Sequence, residues 1–282
     1  MATVKEILLE TKLRFKTAGL DTPELDARLL LQNVLGVTHE DILLNNSRLL
    51  SESESDTLSK FILRRLNGEP VSRILGQRDF WKHSFKVSDE TLDPRPDSET
   101  IIDAVISEFN CDEDLKILDL GTGTGCLLLS LLHEFPNARG VGVDISQGAI
   151  AVAKENAEVI GLANRVNFIN SDWQDMPLEQ NFDIVISNPP YIAEGEIAGL
   201  QPEVKNFDPY TALSGGESGL ECYKTIVQIL PKLLKKKGKI FFEIGYNQEE
   251  LVKAILAEGG FIVLQTIADL AGHPRCTVAK WG

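Results

Sequence analysis

Over residues 4–66 the apolar positions recur with a helical period. Val4, Ile7, Leu8 and Phe15 form one run, closed by Gly19. Leu25, Leu29 and Leu30 form a second, opened by Thr22-Pro23 as cap and first-turn proline and ended at Gly36. Leu58, Phe61, Ile62 and Leu66 form a third, capped by Ser51 or Ser53 and ended by Asn67-Gly68. The acidic, hydroxyl-rich stretch 51–55 thus reads as a helix start rather than a linker. Residues 71–98 change character. Phe80, Trp81, Phe85 and Val87 suggest extended segments, and Asp93-Pro94-Arg95-Pro96 excludes regular helix. Asp97 or Ser98 then caps a helix through Ile101, Ile102 and Val105.

From Lys116 the pattern alternates. It predicts strands at 116–120, 140–144, 165–169, 182–187, 239–244, 260–267 and 276–281, with helices at about 124–134, 147–160, 217–235 and 247–258. Repeated strand–helix–strand units imply a mostly parallel sheet covered on both faces. The last two strands are joined by "IADLAGHPRC", too short and too broken by Gly and Pro for a crossover helix, so they are expected to pair antiparallel. The expected organisation is a helical domain at 1–75, an extended or hairpin connector at 76–98 and an α/β domain at 99–282.

Composition narrows the function classes. A chain with 43% hydrophobic and 25% charged residues suits a globular protein. Its apolar runs, such as 101–106 and 126–132, are too short to span a bilayer. "MATVKEILLE" lacks the basic start and apolar block of a signal peptide, so the cytoplasm is the expected compartment. Cys111, Cys126, Cys222, Cys276 and the four histidines form no ligand motif, which argues against a disulfide framework and a structural zinc site. A net charge of −14 weighs against a nucleic acid substrate, because phosphate binding needs a basic face. Residues 1–79 carry 11 Lys and Arg against 12 Asp and Glu; the remaining 17 against 30 put nearly all of the excess on the α/β part.

The chemistry gathers at the strand ends. In "KILDLGTGTGC" a hydrophobic strand runs into Gly121-Thr122-Gly123-Thr124-Gly125, whose glycines permit a tight turn and close approach of a ligand. The spacing is G-x-G-x-G; a dinucleotide fingerprint needs Gly or Ala where Cys126 stands. "GVGVD" ends the next strand on Asp144, where a carboxylate can accept both hydroxyls of a ribose; a merely structural turn does not account for it. After the third strand, Asp172 can accept from the amine of adenine and Trp173 can cover its face. A surface turn with a buried tryptophan is the competing reading there.

"FDIVISNPPYIAEGE" ends the fourth strand on Asn188-Pro189-Pro190-Tyr191. Two prolines remove two backbone donors and stiffen the chain around an amide, free carbonyls and an aromatic ring. The Asn188 side-chain oxygen and the Pro189 carbonyl are pure acceptors, suited to orient both hydrogens of an –NH2 group while Tyr191 stacks on it. Ligands of open parallel sheets bind beyond the carboxyl ends of the strands, where all these features fall. His83, His133 and His273 read as structural or surface residues.

With "GEPVSRILGQRDFW", "LDPRPDSE", "DLGTGTGC", "SNPPYI", "GLECY", "FEIGYNQ" and "DLAGHPR", the chain resembles the peptide chain release factor glutamine methyltransferase family from about residue 20 to its end. Ser98 stands where that family commonly has threonine. The resemblance implies a Rossmann-like α/β methyltransferase fold, a mostly parallel seven-stranded sheet with an antiparallel last strand, plus a small N-terminal helical domain that docks substrate. It implies S-adenosylmethionine as cofactor, converted to S-adenosylhomocysteine, with Gly121 to Gly125 under the methionine portion, Asp144 on the ribose and Trp173 lining the adenosine pocket, where the residue reading also puts Asp172. Asn188, Pro189, Pro190 and Tyr191 would cradle the glutamine amide of class one release factors. Arg95 and Glu99 either fence the substrate entrance or orient the glutamine-bearing loop, or else belong to a proline-stiffened connector in which Arg95 pairs with a carboxylate. A monomer acting on protein, away from membrane and nucleic acid, is expected. An adenine amino-group methyltransferase acting on DNA or RNA shares the N-P-P-Y chemistry and is the rival reading.

Overall fold

In the computed structural model, residues 2–177 and 182–282 are described, so Met1, the first residue of the expected helical domain, lies outside the described residues. The chain divides into two compact units, Met1–Gly76 and Gln77–Gly282. The first holds helices α1 (Val4–Thr17), α2 (Pro23–Leu35), α3 (His39–Leu44), α4 (Glu52–Leu66) and α5 (Val71–Leu75). Ser51 rather than Ser53 caps α4: its hydroxyl accepts from the Glu54 amide while the Glu54 carboxylate accepts from the Ser51 amide. Thr22 makes no such cap; its hydroxyl donates to Asp26, which pairs with Arg65 in the interior at 2.7 Å. Helices α3 and α5 are missing from the periodicity because one or two turns are too short to display a period. Phe15, Leu30, Leu31, Leu58 and Ile62 form the core of this unit.

The second unit opens with an antiparallel hairpin, β1 (Gln77–Phe80) and β2 (His83–Lys86). A helical turn over Pro96–Ser98 leads into α6 (Glu99–Glu108). The alternating region follows as β3 (Lys116–Leu120), α7 (Cys126–Glu134), β4 (Arg139–Asp144), α8 (Gln147–Ile160), β5 (Val166–Asn170) and β6 (Phe182–Ser187). Three short helices come next, α9 (Glu194–Ile197), α10 (Pro202–Phe207) and α11 (Tyr210–Leu213), where the sequence showed no period. The chain ends with α12 (Glu221–Leu233), β7 (Leu234–Glu243), α13 (Glu249–Glu258), β8 (Phe261–Ala268) and β9 (Pro274–Trp281). Strand β7 starts five residues before the expected 239, because Lys235–Lys237 hid its strand character.

Seven strands form one sheet in the order β5-β4-β3-β6-β7-β9-β8. The pairs β5–β4, β4–β3, β3–β6 and β6–β7 are parallel; β9 runs antiparallel to both β7 and β8, as expected of the final hairpin. Alternation along β3 feeds the two faces: Ile117 joins a cluster with Ile102, Leu128 and Phe135, whereas Leu118 and Leu120 join Tyr223, Leu230 and Phe242. The chain leaves β3 towards β4 and β5 on one side and resumes at β6 on the other. That reversal opens a crevice beyond the carboxyl ends of β3 and β6. Among the described residues no helix is long and apolar enough to cross a membrane.

Candidate active site

The crevice is a cavity lined by Gly121 to Thr124 of the glycine turn but not Gly125, and by Asp144, Ser171, Asp172, Trp173, Asn188, Pro190, Arg95, Ser98 and residues of the α11 segment. The turn after β3 holds Gly121, Gly123 and Gly125 at φ of 80°, 55° and 78°, conformations that favour glycine. The amides of Gly121 and Thr122 both donate to the Val143 carbonyl, at 2.9 and 3.0 Å, which binds the turn to β4. A Cβ on Gly123 would meet nothing within 4 Å, so the position faces open space on the cavity wall.

Asp144 is tied into this turn. One carboxylate oxygen accepts from the Gly123 amide at 2.8 Å and the other from the Ser146 amide at 2.9 Å. Each keeps a lone pair for a ligand hydroxyl. Burial raises its pKa, and the two amides pull it back. Beneath the turn lies Asp119, 1% exposed, with one oxygen accepting from the Thr122 hydroxyl at 2.7 Å and Oδ1 without a partner. Burial pushes its pKa up to about 7. Asp119 ends no motif, but an acid inside an apolar strand is itself a signal in the sequence.

Asp172 caps a short helical turn by accepting from the Gln174 amide at 2.9 Å, and Trp173 follows on the cavity wall. A Cβ on Gly121 would lie 3.5 Å from the Trp173 ring, an ordinary contact, so it is the φ of 80° that favours glycine there. Trp173 therefore both lines the cavity and packs against the core cluster of Phe242.

The N-P-P-Y corner divides in two. Asn188 and Pro190 stand on the cavity wall, whereas Pro189 and Tyr191 are not among its lining residues. The Asn188 amide nitrogen donates to the Ser98 hydroxyl at 3.2 Å. The Tyr191 ring packs against the core, and its hydroxyl lies 3.4 Å from Glu243 Oε1 rather than beside the cavity. Its carbonyl accepts from the Gln248 side chain at 2.9 Å. Gly215 closes the corner, since a Cβ there would come within 2.7 Å of the Pro190 carbonyl. Every peptide bond among the described residues is trans.

Arg95 makes the carboxylate pair that one of its two readings expected. It lines the cavity and pairs with Asp208 at 2.5 Å, while Asp208 also accepts from the Asp93 amide at 3.2 Å. Glu99 instead accepts from the Trp81 amide at 2.8 Å, fastening the β1–β2 hairpin, and does not line the cavity.

Behind Asn188 sits an ionic group that no motif spacing revealed. Glu243, 1% exposed, ends β7 beside the end of β6. Burial raises its pKa to about 7; the Ser98 hydroxyl, the Arg275 guanidinium and the Tyr191 hydroxyl pull the other way. Arg275 pairs with Asp269 at 3.1 Å and Asp97 at 3.4 Å and donates to the Ile244 carbonyl at 3.2 Å. The Tyr223 hydroxyl donates to the Glu243 carbonyl at 2.8 Å. The stretches "GLECY", "FEIGYNQ" and "DLAGHPR" thus converge behind the N-P-P-Y corner. Cys126 and Cys222 also line the cavity, but burial pushes their thiols up to about 12 and about 11, so neither offers a thiolate at neutral pH.

Residues 111–268 match the family model described as a methyltransferase domain, and residues 6–76 match the PrmC N-terminal domain. The chain is 43% identical over 268 residues to a release factor glutamine methyltransferase of Rhodospirillum rubrum, covering 95% of this chain and 82% of that protein. It is 40% identical over 278 residues to a protein of the same name from Agrobacterium fabrum, covering 97% and 96%. A methyltransferase crystal structure from Pyrococcus furiosus, 18% identical, superposes with a TM-score of 0.51 over 70% of this chain and 87% of that one, a likeness of fold.

Proposed function

The chain belongs to the release factor glutamine methyltransferase family, and from that premise we propose that it methylates the side-chain amide nitrogen of the glutamine in the Gly-Gly-Gln motif of class one peptide chain release factors. The methyl donor is S-adenosylmethionine, leaving S-adenosylhomocysteine. In this reading the protein acts as a monomer in the cytoplasm, on protein rather than nucleic acid. The observation that carries it is the Asn188 amide, held by Ser98 on the wall of the same cavity that the glycine turn and Asp144 line.

The residues present suit the cofactor. Gly123 leaves room for a close approach, Asp144 keeps acceptor capacity for ribose hydroxyls, and Ile145 and Trp173 offer apolar faces for an adenine that Asp172 can bind at its amine. When bound, S-adenosylmethionine supplies a methyl group activated by a sulfonium sulfur. The chain's own contribution is positioning. Asn188 Oδ1, on the cavity wall, accepts one hydrogen of the substrate amide, and the Pro189 carbonyl accepts the other where the substrate reaches past that wall, which turns the nitrogen lone pair towards the donor. Tyr191 supports the corner from behind through Glu243. No base need act before transfer, because the proton leaves the methylated nitrogen for solvent or a carbonyl.

The test offers the purified protein labelled S-adenosylmethionine with a release factor and, in parallel, with adenine-containing DNA. Label on the release factor glutamine supports the proposal. Label on the DNA alone contradicts it and favours the adenine reading.

A further inference from the structure

Two carboxylates meet at one serine. Ser146 caps α8, its hydroxyl oxygen accepting from the Ala149 amide at 3.1 Å. Its own amide donates to Asp144 Oδ1 at 2.9 Å, and its hydroxyl proton goes to Glu90 Oε2, also at 2.9 Å. Glu90 stands 56 residues earlier, outside every motif, on the stretch that follows the β1–β2 hairpin. We propose that Glu90 is a further cofactor-binding residue, whose carboxylate accepts a hydrogen bond from one ribose hydroxyl of S-adenosylmethionine; this rests on the cofactor reading given above.

The packing brings Glu90 there. At the end of β2 the Lys86 amide donates to Asn156 Oδ1 at 2.8 Å, and the Lys86 carbonyl accepts from Asn156 Nδ2 at 3.2 Å. The same Asn156 nitrogen, inside α8, donates to the Thr124 carbonyl at 2.9 Å. The stretch after β2 is thereby fastened to α8 and to the glycine turn. A turn closed by the Thr91 amide on the Ser88 carbonyl, at 3.0 Å, then carries Glu90 across the start of α8. Gly148 makes that crossing possible, since a Cβ there would come 2.4 Å from Glu90 Cγ and 2.9 Å from Glu90 Cβ. Much of Glu90 is exposed, yet it lines the same cavity as Asp144, Ile145 and Ser146.

A ribose presents two neighbouring hydroxyls, each able to donate. Ser146 takes Glu90 Oε2, and Oε1 keeps its acceptor capacity for one of them. Asp144 and Glu90, both held by Ser146, thus share the diol. Two negative charges there also oppose any nucleotide whose ribose carries a phosphate.

The test is calorimetric and needs no turnover. It uses S-adenosylhomocysteine and its 2′-deoxy and 3′-deoxy analogues. Glu90→Ala should bind S-adenosylhomocysteine about tenfold more weakly than the wild type, as one hydrogen bond to a carboxylate at an exposed site allows. Each missing hydroxyl should weaken binding to the wild type, and for one of the two analogues that penalty should vanish in Glu90→Ala. A purely structural role for Glu90 would leave both penalties in place. Gly148→Ala displaces the Glu90 side chain from a position that does not itself line the cavity. It should weaken binding likewise in the wild type and have no further effect in Glu90→Ala. Wild-type affinity in Glu90→Ala, or two unchanged deoxy penalties, overturns the inference. A wild type that binds no S-adenosylhomocysteine defeats the cofactor reading and the inference with it. Binding without methyl transfer to release factor defeats the functional proposal alone, and the affinities then still decide the role of Glu90.

Discussion

The Asn188 side chain donates to the Ser98 hydroxyl at 3.2 Å, although 90 residues separate them in the chain. The contact joins the end of the fourth parallel strand to the helical turn Pro96–Ser98 that leads into α6. Without it the amide at the N-P-P-Y corner would be free to rotate, and a reaction that depends on positioning would lose its reference point.

Asp144→Ala should weaken S-adenosylmethionine binding measurably by calorimetry. The substitution removes the carboxylate offered to the ribose and also unties the Gly123 and Ser146 amides. Unchanged affinity would remove Asp144 from the cofactor site.

Glu243 makes stability depend on pH in a stated direction. Its pKa is raised from 4.5 to about 7 in the folded chain, so between those values the folded state binds the extra proton. The contribution of this group to stability is therefore fully present below about 4.5 and is lost as pH rises through about 7, by about 3 kcal/mol. Asp119, also raised to about 7 by burial, adds to the same trend. Denaturant unfolding of the wild type and Glu243→Gln at pH 5 and pH 8 reads the difference. The wild type should lose more stability over that interval than the variant, and parallel losses would contradict the assignment.

Much of this architecture was legible in the sequence, and its limits are physical. Strands β3 and β6 and helix α8 fall at their expected bounds because long, regular patterns carry a clear period. Gly121, Asp144 and Asn188 were legible because each closes a strand, and strand ends share one edge of a parallel sheet. Ser98, Asp208 and Arg275 carried no such mark, and Glu243, although it closes β7, was hidden as one acid at the end of an apolar strand. Their roles arise from side chains meeting across the fold, as Arg95 meets Asp208 over 113 residues. Tyr191 shows the opposite limit: the motif suggested a ring stacked on the substrate, whereas packing turns it towards the core and Glu243.

The Met1–Gly76 unit contains none of the residues that line the cavity, and its near-neutral charge contrasts with the acidic remainder. We propose that it docks the protein substrate. The separate Gln77–Gly282 unit should bind S-adenosylmethionine normally by calorimetry while methylating intact release factor poorly. Full activity of that unit on intact release factor would refute a docking role.

Single-turnover methyl transfer to release factor glutamine by Asn188→Ala tests the central claim most directly. Losing an acceptor that positions the reacting nitrogen should cost on the order of a hundredfold in rate, about 3 kcal/mol, with S-adenosylmethionine affinity nearly unchanged. Transfer at the wild-type rate would contradict the account of an amide held in place by Asn188.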